Sequence, residues 1–200
     1  MKRILITVLS ILLILGLLGC SSSKEKEPTN SPEKTETVEK ENDTTKETNE
    51  ESNSDDSATT GEKNALRQAK QYLSFTAFSK EGLIHQLEFE GYSNEEALYG
   101  VENCGADWSE EALKKAKEYL NISAFSKSGL INQLEFEKFT SEQAQYGVEN
   151  CGADWYEQAA KKAKDYLSIS AFSKESLINQ LVFEGFSNDE AVYGVEQNGY

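Results

Sequence analysis

The chain has 200 residues, with 20 Lys+Arg against 35 Asp+Glu and a formal charge of −15 at pH 7. Affinity for nucleic acid rests on clustered Lys and Arg that neutralise phosphates, so this balance argues against a phosphate-binding protein. One His and three Cys leave little material for a metal site or a His-assisted nucleophile. Only 38% of residues are hydrophobic, which points to a chain that folds in part.

Residues 1–19 read as an export signal. Lys2 and Arg3 precede an apolar run from Ile4 to Leu18, and Gly19-Cys20 closes it. The run is short for a bilayer span, which takes about 20 apolar residues. Leu17-Leu18-Gly19-Cys20 resembles the lipobox of bacterial lipoproteins, where cleavage falls between Gly19 and Cys20 and the thiol carries a diacylglycerol. An uncleaved anchor with an incidental Cys is the alternative. Both readings place the rest of the chain outside the cytoplasm.

Residues 20–64 follow as an acidic linker. Beyond Cys20 they are mostly Ser, Thr, Asn, Glu and Lys, with Val38 the one large aliphatic side chain and both prolines, Pro28 and Pro32. Such a segment buries too little apolar surface to offset the entropy of ordering, so disorder is expected. Six Lys against 13 Asp+Glu give it a charge of −7, and like charges keep it extended.

From residue 65 the chain repeats with a period of 47. Tyr72-Leu73 returns as Tyr119-Leu120 and Tyr166-Leu167; Phe78-Ser79-Lys80 returns as Phe125-Ser126-Lys127 and Phe172-Ser173-Lys174. Tyr99-Gly100-Val101-Glu102 recurs in the same register at 146 and 193. The expected fold is all-α: three tandem helix-turn-helix-like units of three helices each, over residues 65–108, 109–155 and 156–200.

Within a unit the first helix is rich in Ala, Lys and Glu. It is expected to break at Ser74 to Ala77 in the first copy. Ser79, Ser126 and Ser173 stand where the second helix needs an N-cap. Leu83, Ile84 and Leu87 share one face of that helix, and Gly91, Lys138 and Gly185 mark its end. Ser93-Asn94-Glu95-Glu96 has the form of a capping box for the third helix. Gly100, which recurs in all copies despite its cost to helix stability, predicts close packing on a neighbouring helix.

Cys104-Gly105-Ala106-Asp107-Trp108 and Cys151-Gly152-Ala153-Asp154-Trp155 occur only where another unit follows; the third copy has Asn198-Gly199-Tyr200. The motif therefore reads as a junction. Gly105 and Gly152 stop a helix, Asp107 and Asp154 cap the next, and Glu110 and Glu157 complete a capping box. Trp108 and Trp155 are expected in the seam between units. Cys104 and Cys151 occupy equivalent positions, and a bridge needs Cα atoms within about 7 Å. Free, packed thiols are the favoured reading, with a disulfide as the alternative.

Phe78, Phe89, Tyr92 and Tyr99 recur in register, as either the core of each unit or a ligand-binding ladder. The helical spacing favours core. His85 is replaced by Asn132 and Asn179, as expected of a surface residue. Residues 65–200 carry 12 Lys+Arg and 22 Asp+Glu, a net −10, which disfavours DNA binding despite the helix-turn-helix-like geometry. No motif implies catalysis, a metal, a small-molecule substrate or a cofactor beyond the lipid on Cys20.

Ala-Phe-Ser-Lys-x-Gly-Leu-Ile, then Leu-x-Phe-Glu and Ala-x-Tyr-Gly-Val-Glu, resembles the Ltp-type host cell surface-exposed lipoproteins. The resemblance spans residues 65–200 and the lipobox. It implies a tethered surface protein of Gram-positive bacteria or their prophages, built from such repeats. It also implies superinfection exclusion: interference with phage DNA injection through contact with a phage tail component. An envelope structural or adhesion lipoprotein that binds wall polymer or a host surface is the second reading, and an envelope enzyme a third that lacks an acid/base pair.

Overall fold

The computed structural model describes residues 58–200. The expected signal segment, Cys20 and the expected linker through residue 57 lie outside the described residues. Nine α-helices and no strands are present among those described: α1 (Thr60–Phe75), α2 (Lys80–Phe89), α3 (Asn94–Glu102), α4 (Trp108–Ile122), α5 (Lys127–Phe136), α6 (Ser141–Asn150), α7 (Trp155–Ile169), α8 (Lys174–Phe183) and α9 (Asn188–Glu196). Each consecutive trio forms one repeat.

Local chemistry sets the helix ends. Ser79, Ser126 and Ser173 cap the second helices through side-chain oxygens that accept from Gly82, Gly129 and Ser176 N–H. Ser93, Thr140 and Ser187 form complete capping boxes at the third helices. Gly91, Lys138 and Gly185 adopt positive φ after the second helices, so Lys138 accepts the left-handed cap that glycine takes without cost. Two boundaries differ from the sequence reading. Thr59 and Glu62 form another capping box, so residues 60–64 of the expected linker are helical, and α1 continues through Ser74 to Phe75.

Each repeat owns a small core. In the middle repeat Ala112, Ala116, Leu130, Leu134, Phe139, Ala144 and Val148 are buried together, and the other repeats bury equivalent residues. First and third helices pack closest because glycine sits at their contact. A Cβ on Gly147 would lie 2.7 Å from the carbonyl carbon and oxygen of Ala112, and Gly100 and Gly194 meet Ala65 and Ala159 in the same way. Lys80–Glu102, Lys127–Glu149 and Lys174–Glu196 ion pairs tie the start of each second helix to the end of the third. They are exposed, so each is worth about 1 kcal/mol or less.

Three cores of this size are marginal singly, and the seams join them. Ser79 Oγ donates to the Glu137 carbonyl at 2.5 Å and Ser126 Oγ donates to the Glu184 carbonyl at 2.6 Å. The N-terminus of one second helix thus abuts the C-terminus of the next repeat's second helix, with favourably opposed dipole ends. Lys115 and Lys162 cross the same seams, lying 5.7 and 5.8 Å from the centroids of Phe78 and Phe125. At the first seam Glu118 accepts from Thr76 Oγ1 and Ala77 N.

Three departures from the repeat pattern fall at these contacts. Gln68 and Gln71 replace the Lys115 and Glu118 positions in the first repeat, and Ser176 replaces Gly82 and Gly129 in the third. At Gly82 a Cβ would stand 2.8 Å from Ser79 Oγ, so the seam form of the cap favours glycine.

Candidate interaction surface

The Cys-Gly-Ala-Asp-Trp motif lies between consecutive repeats. Gly105 and Gly152 turn the chain at φ +78 and +76. Asp107 accepts from Ser109 and Glu110 N–H, and Asp154 from Tyr156 and Glu157 N–H. Trp108 and Trp155 open the first helices of repeats 2 and 3 yet pack against the cores of the repeats before them. Cys104 and Cys151 sit in those two separate cores, each thiol donating to a carbonyl one turn back, Val101 and Val148. In the third repeat Asn198 stands at the cysteine position and donates to the carbonyls of Ala160 and Gly194.

The expected role of Glu110 and Glu157 is corrected. Neither closes a capping box; Glu110 instead accepts from Tyr146 OH at 2.6 Å and Glu157 from Tyr193 OH at 3.4 Å. The third helix of the same repeat supplies a donor that captures the carboxylate before it can fold back on the cap.

A second correction defines the surface. Phe89, Phe136 and Phe183 are 76%, 74% and 85% exposed rather than core. Leu83, Ile84 and Leu87 set the inward face of α2, and Phe89, two residues past Leu87, lies about 200° away. Tyr92, Phe139 and Phe186, just beyond the turn, fill the space instead. Phe75, Ile122 and Ile169, also related by the repeat, form another exposed set at the ends of the first helices. The aromatic register thus includes one largely exposed phenylalanine per unit. The legible signal was Phe89's placement against the Leu83–Leu87 stripe.

Carboxylates surround the phenylalanines. The sequences are Glu88-Phe89-Glu90, Glu135-Phe136-Glu137 and Val182-Phe183-Glu184. Asn94 Nδ2 donates to Glu88 at 2.8 Å, which holds this carboxyl below the usual range. Glu90, Glu137 and Glu184 accept from Tyr72, Tyr119 and Tyr166 OH, and Gln86, Gln133 and Gln180 donate to those phenol oxygens. His85 is exposed between Glu81 and Glu88, at 3.5 and 3.2 Å.

Burial, and then the adjoining carboxylate, pushes the Tyr72 and Tyr166 phenols up to about 12, and raises Tyr119 for the same reasons. These protons are held more tightly in the folded chain than in the unfolded one, whose phenols titrate near 10. The stability they contribute is complete below pH 10 and is lost as pH rises from about 10 through 12. Joint titration by tyrosinate absorbance and circular dichroism should show a late-ionising set of phenols whose ionisation coincides with helix loss. Ionisation of all nine tyrosines in one step near pH 10, with the helices intact, would contradict this arrangement.

The repeats have known counterparts. The sequence pattern of one family, host cell surface-exposed lipoprotein, matches residues 61–104, 107–151 and 154–197. A solved structure, that of Ltp, a superinfection exclusion protein from the Streptococcus thermophilus temperate phage TP-J34, is 41% identical to this chain. The match covers 46% of this chain and 97% of that one, with a TM-score of 0.45. No curated protein matches. With three consecutive matches spanning most of residues 61–197, the chain belongs to the family of host cell surface-exposed lipoproteins.

Proposed function

We propose that the chain is held by a diacylglycerol on Cys20 at the outer face of the cell membrane and excludes superinfecting phages. It does so by engaging a tail component and blocking DNA injection after adsorption. The observation that carries this reading is the tandem family match, three times over one array. The description of the 41%-identical phage protein as a superinfection exclusion protein supports it. Two acyl chains anchor stably where one gives only marginal binding. The linker's charge of −7 then favours an extended chain that holds the repeats clear of the bilayer. Apolar side chains presented outward from small closed cores support a binding role.

The test is expression of the full chain in a phage-sensitive host, with adsorption and DNA entry scored separately. Normal adsorption with reduced DNA entry is expected, and Cys20→Ser should abolish the reduction. Unimpaired DNA entry across a broad phage panel would remove the exclusion reading, and full protection by Cys20→Ser would remove the anchor from it.

A further inference from the structure

We infer that Phe89, Phe136 and Phe183 form a docking row for a basic α-helical protein segment that presents a large apolar side chain at every eleventh residue. One exposed phenylalanine on a soluble protein is ordinary. Three at the same repeat position, each about three-quarters or more exposed, are not explained by packing. Together such rings offer roughly 400–600 Å² of apolar area.

The seams set the spacing. Ser79 touches Glu137, the neighbour of Phe136, and Phe89 lies ten residues beyond Ser79 along α2. At 1.5 Å per residue the step from one phenylalanine to the next is about 15 Å. The second seam repeats it, because Ser126 touches Glu184 beside Phe183. On an α-helix every eleventh residue returns to the same face after three turns, about 16.5 Å along the axis. That rise is within about 2 Å of the step between phenylalanines.

Charge narrows the occupant further. Glu88, Glu90 and Glu135 flank the rings, Glu137 and Glu184 are already paired with Lys115 and Lys162, and the repeats carry −10 in all, so a basic partner segment is favoured. A second copy of the chain, or an anionic bilayer, would be repelled by an array carrying −10. The inference rests on the proposed function in supposing a protein partner, and it is tested separately.

The test uses cells that display the full chain and a fluorescent Ala/Lys-rich helical peptide of about 33 residues with Trp at every eleventh position. A control peptide carries Ser at those positions. The Trp peptide should bind the displayed chain, more weakly at higher salt. The triple variant F89S/F136S/F183S should lose about tenfold or more, while the triple Phe→Leu variant keeps most of the binding. Unchanged circular dichroism would show that the exposed substitutions spare the fold. No binding of the Trp peptide, equal binding of the Ser peptide, or full binding by the triple Ser variant would overturn the inference. So would phosphatidylcholine vesicles that bind the wild type but not the triple Ser variant without any preference between peptides, which would make the row a lipid contact. Scoring phage DNA entry in the same strains keeps the readings apart. A wild-type chain that distinguishes the peptides while DNA entry is normal removes exclusion and leaves the docking row standing.

Discussion

Gly147→Ala is expected to destabilise the array by about 1–3 kcal/mol, through overpacking against backbone that has nowhere to move. The sign is informative, because the same change in an exposed helix interior stabilises by about 1 kcal/mol. Here the new methyl would stand 2.7 Å from the Ala112 carbonyl, closer than carbon atoms approach without displacement. Relief requires α6 to lift off α4, which loosens Val148 and Ala144 from the middle core. Urea unfolding of the full chain should show a lower midpoint for Gly147→Ala, and Gly100→Ala and Gly194→Ala should behave alike. A raised midpoint for any of them would show that the contact between first and third helices is looser than described.

Ser126→Ala and Ser173→Ala should differ sharply, although the two serines cap equivalent helices. Ser126 is 2% exposed; its hydroxyl accepts from Gly129 N–H and donates to the Glu184 carbonyl across the seam. Removing it strands a donor and an acceptor on half-buried residues, at about 1 kcal/mol or more each. Ser173 is exposed and accepts from Ser176 N–H, so its loss removes a cap alone, about 1 kcal/mol. Ser126→Ala should also uncouple the last two repeats and so flatten the unfolding transition, because nearest-neighbour contacts carry cooperativity in repeat arrays. Equal costs for the two variants, with equally steep transitions, would mean that the serine contact does not join the repeats.

Much of this architecture was legible because the chain states it three times. The period of 47, the serine caps, the capping box at Ser93 and the close approach at Gly100 all follow from rules that act within one unit. What escaped was what faces away from a unit. Phe89 was grouped with Phe78 and Tyr92 by recurrence, yet recurrence distinguishes neither core from surface nor one function from another. Only its angle to Leu83 and Leu87 separates them. Glu110 matched the capping-box spacing, but a hydroxyl from Tyr146, 36 residues on, competes for its carboxylate. The Trp motif marks the seam in the sequence, and it packs there. The seam's polar half, Ser79 with Glu137 and Lys115 with Phe78, joins residues 58 and 37 positions apart and has no local signature. Gln68, Gln71 and Ser176, three of the places where copies disagree, lie at these contacts.

The serine seam also bears on how such an array can change in length. Each joint takes its donor from one unit and its acceptor from the next, and each unit seals its own core. An in-frame gain or loss of 47 residues within residues 65–200 therefore preserves every core and regenerates a joint of the same kind, wherever in the period the crossover falls. The distance spanned by the phenylalanine row is thus a heritable variable, adjustable in steps without passing through an unfolded intermediate sequence.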